Sequence, residues 1–256
     1  MLLRREADYF FGAVRFFTRL PVPAWVGHSQ AALDCATRYF PLIGILVGAF
    51  GGLIFFLTAY VLPPSLAVLL GMAATVLLTG AFHEDGLADT VDGFGGGWNR
   101  AQILAIMKDS RIGSYGAIAL ALMALAKFNA LYELPDAWIA PVFVAGHAAS
   151  RFFSALLIFF LDYARDDDSS RAKLLAVRMS AGSLMVAGGF GLAPLALLPW
   201  QAALTGVLLA TLTTFFAARY FVKRIGGYTG DCLGATQQFA ELALYLGFLV
   251  VAWNFS

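Results

Sequence analysis

Four acidic side chains lie within nine residues, from Glu84 to Asp92. Asp85, Asp89 and Asp92 are spaced i, i+4 and i+7, so a helix would present all three on one face. Like charges stacked in this way repel one another unless a cation lies between them. A hard divalent cation with oxygen ligands is the natural occupant. The stretch therefore predicts a metal-dependent enzyme with Asp85, Asp89 and Asp92 as both metal ligands and catalytic residues.

A second polar stretch follows at Lys108–Gly116. It combines the cations Lys108 and Arg111 with the acid Asp109 and a serine hydroxyl, all flanked by glycines. Lys and Arg side chains bind phosphate oxygens through charge-assisted hydrogen bonds. The composition favours a phosphate or diphosphate ligand, and the alternative is a plain solvated connector.

A third stretch, Gly226–Gly234, is rich in glycine and contains Asp231. Gly226, Gly227 and Gly230 would let the backbone approach a bulky ligand closely. Asp231 would add an oxygen ligand or a base. Here too a solvated connector is the alternative interpretation.

Further ionisable residues lie within or beside long apolar segments. Charged groups at membrane depth are costly and usually face the interior of the bundle or a cavity, which is our expectation for Lys127. His147 and Arg151 are one helical turn apart and are candidates to line a substrate cavity. Arg219 and Arg38 are nearer segment ends, where we expect Arg219 to extend to the membrane surface and Arg38 to act as an interface anchor or a ligand-binding residue.

The elements that position these residues are predicted from composition. Hydrophobic residues make up 60% of the 256 residues and charged residues 13%, against about 45–50% and about 25% in soluble domains. The net charge of +1 is too small to indicate nucleic-acid binding. We therefore predict a single integral-membrane domain over residues 1–256, with an all-α fold. We expect contact with membrane lipid, and the oligomeric state is left open, a homo-oligomer included.

The hydrophobic pattern predicts an N-terminal amphipathic helix over Leu2–Leu20 that lies on the membrane surface. About seven transmembrane helices follow in a polytopic bundle, because most of the apolar segments reach the roughly 17–25 residues that cross a bilayer. The segments lie near Phe40–Leu62, Ser65–Phe82, Ala117–Leu134, Trp138–Phe160, Ser183–Leu198, Ala202–Phe221 and Phe239–Val251.

Basic residues are distributed unevenly among the connections. They occur in the N-terminal part and in alternate loops, as Arg4, Arg5, Arg15, Arg19, Arg38, Arg100, Lys108, Arg111, Arg165, Arg171, Lys173, Arg178, Lys223 and Arg224. The three short connectors on the other side contain none. By the positive-inside rule, the N-terminus and the loops with the polar stretches are predicted to be cytoplasmic, at the inner membrane of the cell.

In this order, the polar stretches resemble those of the cobalamin synthase family (adenosylcobinamide-GDP ribazoletransferase). The matching stretches are Phe17–Pro23, Phe40–Gly44, His83–Gly93, Ile106–Gly113 and Gly226–Ala235. Glu84 is a departure, because the family pattern leads us to expect an apolar residue such as leucine there. We therefore assign Glu84 no essential ligand role.

The resemblance implies a multi-pass membrane transferase. It would join adenosylcobinamide-GDP to α-ribazole or α-ribazole 5′-phosphate, release GMP and require Mg²⁺. Asp85, Asp89 and Asp92 would then hold magnesium on the diphosphate, and Asp231 would complete the metal site or act as the base. The predicted substrate-binding residues are Lys108, Asp109, Arg111, Gly226, Gly227, Gly230, Arg38 and Arg151.

Two other functions are compatible with an acidic helix in a membrane protein. A CDP-alcohol phosphatidyltransferase also places aspartates at the membrane surface, but its signature requires two further aspartates downstream, which do not follow Gly93 here. A cation-coupled transporter would place its carboxylates near the bilayer midplane and would show an internal repeat, whereas these acids cluster at one edge. Release of GMP from adenosylcobinamide-GDP distinguishes the three functions.

Overall fold

The computed structural model describes residues 2–26, 35–164 and 178–255. Within these ranges the chain forms ten α-helices and no strand, apart from an isolated bridge between Tyr163 and Tyr228. The helices are α1 Leu2–Phe17, α2 Phe40–Ala59, α3 Pro64–Thr79, α4 Phe82–Gly96, α5 Arg100–Ile106, α6 Ser114–Tyr132, α7 Asp136–Phe160, α8 Ala181–Leu192, α9 Trp200–Ile225 and α10 Gly230–Phe255. Short 3₁₀ segments precede α2 and follow α8. The predicted all-α class is confirmed, while the basic residues Arg165, Arg171 and Lys173 lie outside the described ranges.

Five of the described helices are long and apolar enough to cross a membrane, namely α2, α6, α7, α9 and α10. A sixth span results if the bent pair α3 and α4 is counted as one. All seven predicted apolar segments are helical, but α8 has only 12 residues before its 3₁₀ extension and is shorter than a span. The last helix, by contrast, begins at Gly230 rather than near Phe239, so Asp231 belongs to its first turn.

The second predicted span, Ser65–Phe82, is broken. α3 ends at Thr79, and Gly80 and Ala81 both adopt positive φ angles, of 69° and 59°. Gly80 accepts this conformation readily, whereas Ala81 has a Cβ atom and is strained there. The chain consequently bends by 86° and starts α4 at Phe82. This bend takes the acidic helix out of line with the membrane-spanning direction of α3.

The N-terminal helix packs against this bend. Ala13, Val14 and Phe17 of α1 are buried, which confirms that the helix is amphipathic. The ring of Phe17 lies 4.0 Å from that of Phe40, centroid to centroid. Beyond α1, the amide of Arg19 donates to the carbonyl of Leu78 at 2.8 Å and so occupies an acceptor in the last turn of α3. The position of α1 on a membrane surface stays a prediction.

The three short connectors each start the next helix in the same way. Pro63, Pro135 and Pro199 are the N-cap residues of α3, α7 and α9, with φ angles of −54°, −55° and −53°. The fixed φ of proline suits the start of a helix, where its missing N–H is not needed.

Glycines allow close packing in the centre of the bundle. A Cβ atom on Gly48 of α2 would lie 2.7 Å from the Cα of Val144 on α7, and one on Gly247 of α10 would lie 2.6 Å from the backbone nitrogen of Gly206 on α9. Such small-residue crossings let helix backbones approach within a membrane, where burial of apolar surface gives little driving force. They bring α2 close to α7 and α9 close to α10, and the acidic helix α4 packs against α10.

Candidate active site

The acidic stretch forms one helix, as predicted, and α4 ends at Gly96 within the run of glycines. Asp85 is exposed, Asp89 is half-buried and Asp92 is buried with 8% of its surface accessible. The three carboxylates therefore share one side of α4 but lie at different depths, so their environments and roles differ.

Asp92 binds the start of the next long helix. One carboxylate oxygen accepts a hydrogen bond from the backbone N–H of Gly113 at 2.7 Å, and the other accepts one from Gly116 at 2.9 Å. The first N–H groups of a helix have no partner within the helix, and a negative charge there is favourable. Gly113, the N-cap residue of α6, has no side chain to serve this purpose. Asp92 thus caps α6 from outside and holds the Lys108–Gly113 loop beside α4.

Arg111 and Asp109 form an ion pair at the surface. The guanidinium Nη2 donates to Asp109 Oδ2 at 2.6 Å, and Nε and the backbone N–H of Arg111 both donate to Oδ1. These hydrogen bonds and the positive charge lower the pKa of Asp109 to about 2, and the carboxylate raises the pKa of Arg111 in return. Arg111 is highly exposed, at 87% of its side chain. A phosphate that binds Arg111 must therefore share this guanidinium with Asp109 or displace the carboxylate.

The start of α10 contacts α4 directly. A Cβ atom on Gly86 would lie 3.0 Å from the carbonyl oxygen of Asp231 and 3.2 Å from the Cα of Gly234. The two glycines thus allow backbone-to-backbone contact between the helices. As a result Asp231, in the first turn of α10, lies beside the helix that carries Asp85 and Asp89.

The glycines of the third stretch have mainly local structural roles. Gly226 ends α9 with a φ of 82°, which only glycine adopts easily. The main chain at Gly227 passes so close to the carbonyl of Asp162 that a Cβ atom would not fit. Next to it, Tyr228 donates to Asp162 O at 3.0 Å and accepts from Ala164 N at 2.8 Å. Burial and the nearby acidic groups Tyr163 and Asp162 raise the pKa of Tyr228. Ligand binding by these glycines stays a prediction.

A buried polar network lies beneath the acidic helix, where sequence reasoning placed only Lys127, His147 and Arg151. Its centre is Glu241 of α10, which accepts from Lys127 Nζ at 2.9 Å and lies 3.3 Å from His147 Nδ1. Tyr245 also donates to Glu241, at 3.1 Å, and Lys127 donates to Gln238 at 2.7 Å. The partner of Lys127 was missed because it is 114 positions away in the chain.

The network reaches the acidic helix through Glu84. Gln238 Nε2 donates to Glu84 Oε1 at 3.0 Å, while Glu84 Oε2 is buried without a hydrogen-bond partner among the described residues. Glu84 therefore points into the bundle, toward Gln238. Gln238 and Glu241 are three residues apart in a mostly apolar helix that also contains Gln237, and that polar spacing is the signal that could have revealed them.

Arg151 and Arg38 occupy different environments. Arg151 is buried, and its Nη1 donates to the carbonyl of His147 at 2.9 Å. Its Nε has no partner in the described part of the chain, and Arg151 and Gly230 both line a small cavity of about 20 Å³. Arg38 instead binds Glu6 at 3.5 Å and lies over the ring of Tyr9. The structure therefore brings Arg151 near the start of α10, while Arg38 ties α1 to the start of α2.

Among the residues that the structure describes, no three His, Cys, Asp or Glu side chains are grouped so as to hold a metal ion. Asp92 already accepts two N–H groups. Asp85 and Asp89 are one helical turn apart and accessible from solvent, so the pair would suit a Mg²⁺ ion whose other ligands come from a substrate. Magnesium commonly binds through one or two carboxylates together with substrate phosphates rather than in an all-protein cage.

These features define an all-helical membrane protein whose charged and polar side chains are grouped where the acidic helix α4 meets α6 and α10. The chain belongs to the cobalamin-5-phosphate synthase family (CobS), whose family model matches residues 9–249.

Similar curated proteins cover nearly the whole chain. A relative from Shewanella frigidimarina is 47% identical over 251 residues, which is 96% of each chain. One from Shewanella amazonensis is 48% identical over 264 residues, 98% of each chain, and one from Shewanella woodyi is 46% identical over 96% of each. All three are named adenosylcobinamide-GDP ribazoletransferase. No solved structure matches the chain.

Proposed function

We propose that this protein transfers the adenosylcobinamide phosphate group of adenosylcobinamide-GDP to α-ribazole or α-ribazole 5′-phosphate. A ribazole hydroxyl attacks the phosphorus that carries cobinamide, a new phosphoester bond forms, and GMP leaves with the electrons of the broken diphosphate bond. The proton of the attacking hydroxyl passes to a base. The observation that carries this proposal is the near full-length similarity to relatives of that name.

The accessible face of α4 is the proposed diphosphate site. Asp85 and Asp89 would hold Mg²⁺ on the diphosphate, and the ion would neutralise charge on the leaving phosphate. Asp92 is assigned a different part, because its two hydrogen bonds to the start of α6 are already made. It positions the Lys108–Gly113 loop over the diphosphate.

The cations of that loop would bind phosphate oxygens. Lys108 is exposed, and Arg111 is held by Asp109 in an orientation that keeps its second guanidinium edge available for a phosphate. Positive groups that meet charge as it develops in the transition state lower the barrier to phosphoryl transfer. On this proposal Asp109 is a positioning residue that presents Arg111.

Asp231 is the proposed base. It lies in the first turn of α10, next to Gly86 and hence beside the face of α4. Thr229 Oγ1 lies 3.4 Å from its Oδ2 and would help to orient the carboxylate. The reaction would take place at the cytoplasmic face of the inner membrane, as the distribution of basic residues indicates.

The direct test measures GMP and the corrinoid product by mass spectrometry. The purified protein in lipid nanodiscs receives adenosylcobinamide-GDP with α-ribazole or with its 5′-phosphate, at saturating magnesium. The expected result is equimolar GMP and the corresponding cobalamin or cobalamin 5′-phosphate, and the preferred acceptor follows from the two rates. Absence of GMP with both acceptors, with protein that remains folded, would contradict the proposal.

A further inference from the structure

A large apolar groove runs between α7 and α9. Its volume is about 970 Å³. Phe153, Leu157 and Phe160 of α7 form one wall, and Phe215 and Phe216 of α9 form much of the other. Both phenylalanines of α9 are exposed. The surface is suited to hydrocarbon rather than to water.

One end of this groove is positively charged. Arg219 and Lys223 are one helical turn apart on α9, both are exposed, and both line the groove. The guanidinium of Arg219 lies over the ring of Phe215, 5.7 Å from its centroid. Arg100, just beyond α4, donates to the carbonyl of Ile225 at 3.0 Å, so this end of α9 is on the same side as the candidate active site. The groove therefore fits a ligand with a long apolar part and an anionic head.

Thr214 lies between the charged end of the groove and its apolar part. Thr214 is buried, lines the groove, and its hydroxyl has no hydrogen-bond partner in the described ranges. Threonines within a helix can donate to the carbonyl four residues earlier. Thr205 and Thr211 of the same helix do so, at 2.9 and 2.7 Å. The hydroxyl of Thr214 is thus a buried polar group that lacks a partner among the described residues, and an acceptor group within the groove would satisfy it.

The dimensions agree with one membrane leaflet. From Thr211 to Lys223 the helix rises about 18 Å, and half of the hydrocarbon core is about 15 Å. Thr214 lies about 7.5 Å below Arg219 along the helix axis. In a glycerophospholipid, one glycerol unit separates the phosphate from the ester groups, and this separation is similar to the distance between Arg219 and Thr214 along the helix.

We propose that the groove is a binding site for one anionic glycerophospholipid. The phosphate lies between Arg219 and Lys223, the ester carbonyl accepts from Thr214, and an acyl chain lies against the phenylalanines. An anionic lipid is favoured over a zwitterionic one because two cations stand at the mouth of the groove. The site is separate from the α4 surface, so this inference does not depend on the proposed reaction.

The test is native mass spectrometry of delipidated protein titrated with phosphatidylglycerol or phosphatidylcholine of the same acyl chains. We expect tighter binding of one phosphatidylglycerol. Arg219→Gln/Lys223→Gln should weaken it about thirtyfold, since each basic residue near an anionic membrane surface adds roughly fivefold to binding. Thr214→Val keeps the side-chain volume and should weaken binding of either lipid severalfold. The matched control, Arg4→Gln/Arg5→Gln, removes two cations of α1 outside the groove and should have little effect.

Equal affinity for the two lipids, or equal loss in the control variant, would overturn the proposal. Displacement of phosphatidylglycerol by adenosylcobinamide-GDP would assign the groove to the substrate and would also overturn it. If the double variant fails to fold, the single variants Arg219→Gln and Thr214→Val decide the question, because each is expected to weaken phosphatidylglycerol binding. Unchanged binding in both would refute the site.

Discussion

Asp92→Asn separates a structural role of this carboxylate from a role in metal binding. In the native protein, the two oxygens of Asp92 accept from Gly113 and Gly116 at 2.7 and 2.9 Å. Asparagine offers one oxygen, so one of these N–H groups loses its acceptor and the other loses a charge-assisted bond. Hydrogen bonds to charged groups contribute about 1.5–3 kcal/mol, and we take about 2 kcal/mol as the local loss.

Amide hydrogen exchange measures this loss at the affected groups. The N–H groups of the first turn have no intrahelical partner, so Asp92 accounts for their protection. About 2 kcal/mol corresponds to roughly thirtyfold faster exchange at Gly113 and Gly116. Asp89→Asn, one turn away on the same helix, is the matched control and should leave exchange at these amides unchanged. If Asp92→Asn abolished GMP release while exchange at both amides stayed as in the native protein, the capping role would be refuted and a ligand role favoured.

Three further predictions concern the network, the loop and the helix crossing. Lys127→Met leaves Glu241 buried beside an apolar side chain and should lower the free energy of unfolding by about 3–5 kcal/mol, as measured by denaturant unfolding in detergent. The double variant Lys127→Met/Glu241→Leu should recover much of this loss. Equal losses in the single and the double variant would contradict the ion pair. Arg111→Ala should raise the KM for adenosylcobinamide-GDP about tenfold or more, while the KM for α-ribazole changes little; the reverse pattern would remove the diphosphate role of Arg111. Gly86→Ala places a Cβ atom 3.0 Å from Asp231 O, so it should lower the free energy of unfolding by about 1–3 kcal/mol and also slow GMP release. Gly182→Ala is the control and should change neither, because no atom lies within 4 Å of its new Cβ. No difference between the two variants would contradict close packing of α4 on α10.

The sequence predicted the acidic helix well because its signal is local. The i, i+4, i+7 spacing of the aspartates requires no knowledge of distant residues, and the helix ends within the glycines that follow. The capping role of Asp92 could not be predicted in this way, because its partners lie 21 and 24 positions later. Only the packing of α4 against α6 brings them together.

The same limit applies to the membrane spans. The apolar run from Ser65 to Phe82 gives no warning of the bend, because it depends on the left-handed conformations of Gly80 and Ala81 and on contacts with Arg19. The last segment was drawn from Phe239 because Gln237 and Gln238, just before it, resemble a polar loop in a hydropathy profile. In the structure both are buried in a helix, where Gln237 donates to Ser150 and Gln238 accepts from Lys127.

The central claim is that the accessible carboxylates of α4 act on the diphosphate, and one comparison tests it most directly. GMP release from adenosylcobinamide-GDP is measured at increasing magnesium for the native protein, Asp85→Asn and Asp136→Asn, the last altering an exposed aspartate in the first turn of α7. We predict that Asp85→Asn lowers the rate at least a hundredfold at saturating magnesium and that Asp136→Asn keeps the native rate. Near-native GMP release by Asp85→Asn would contradict the account.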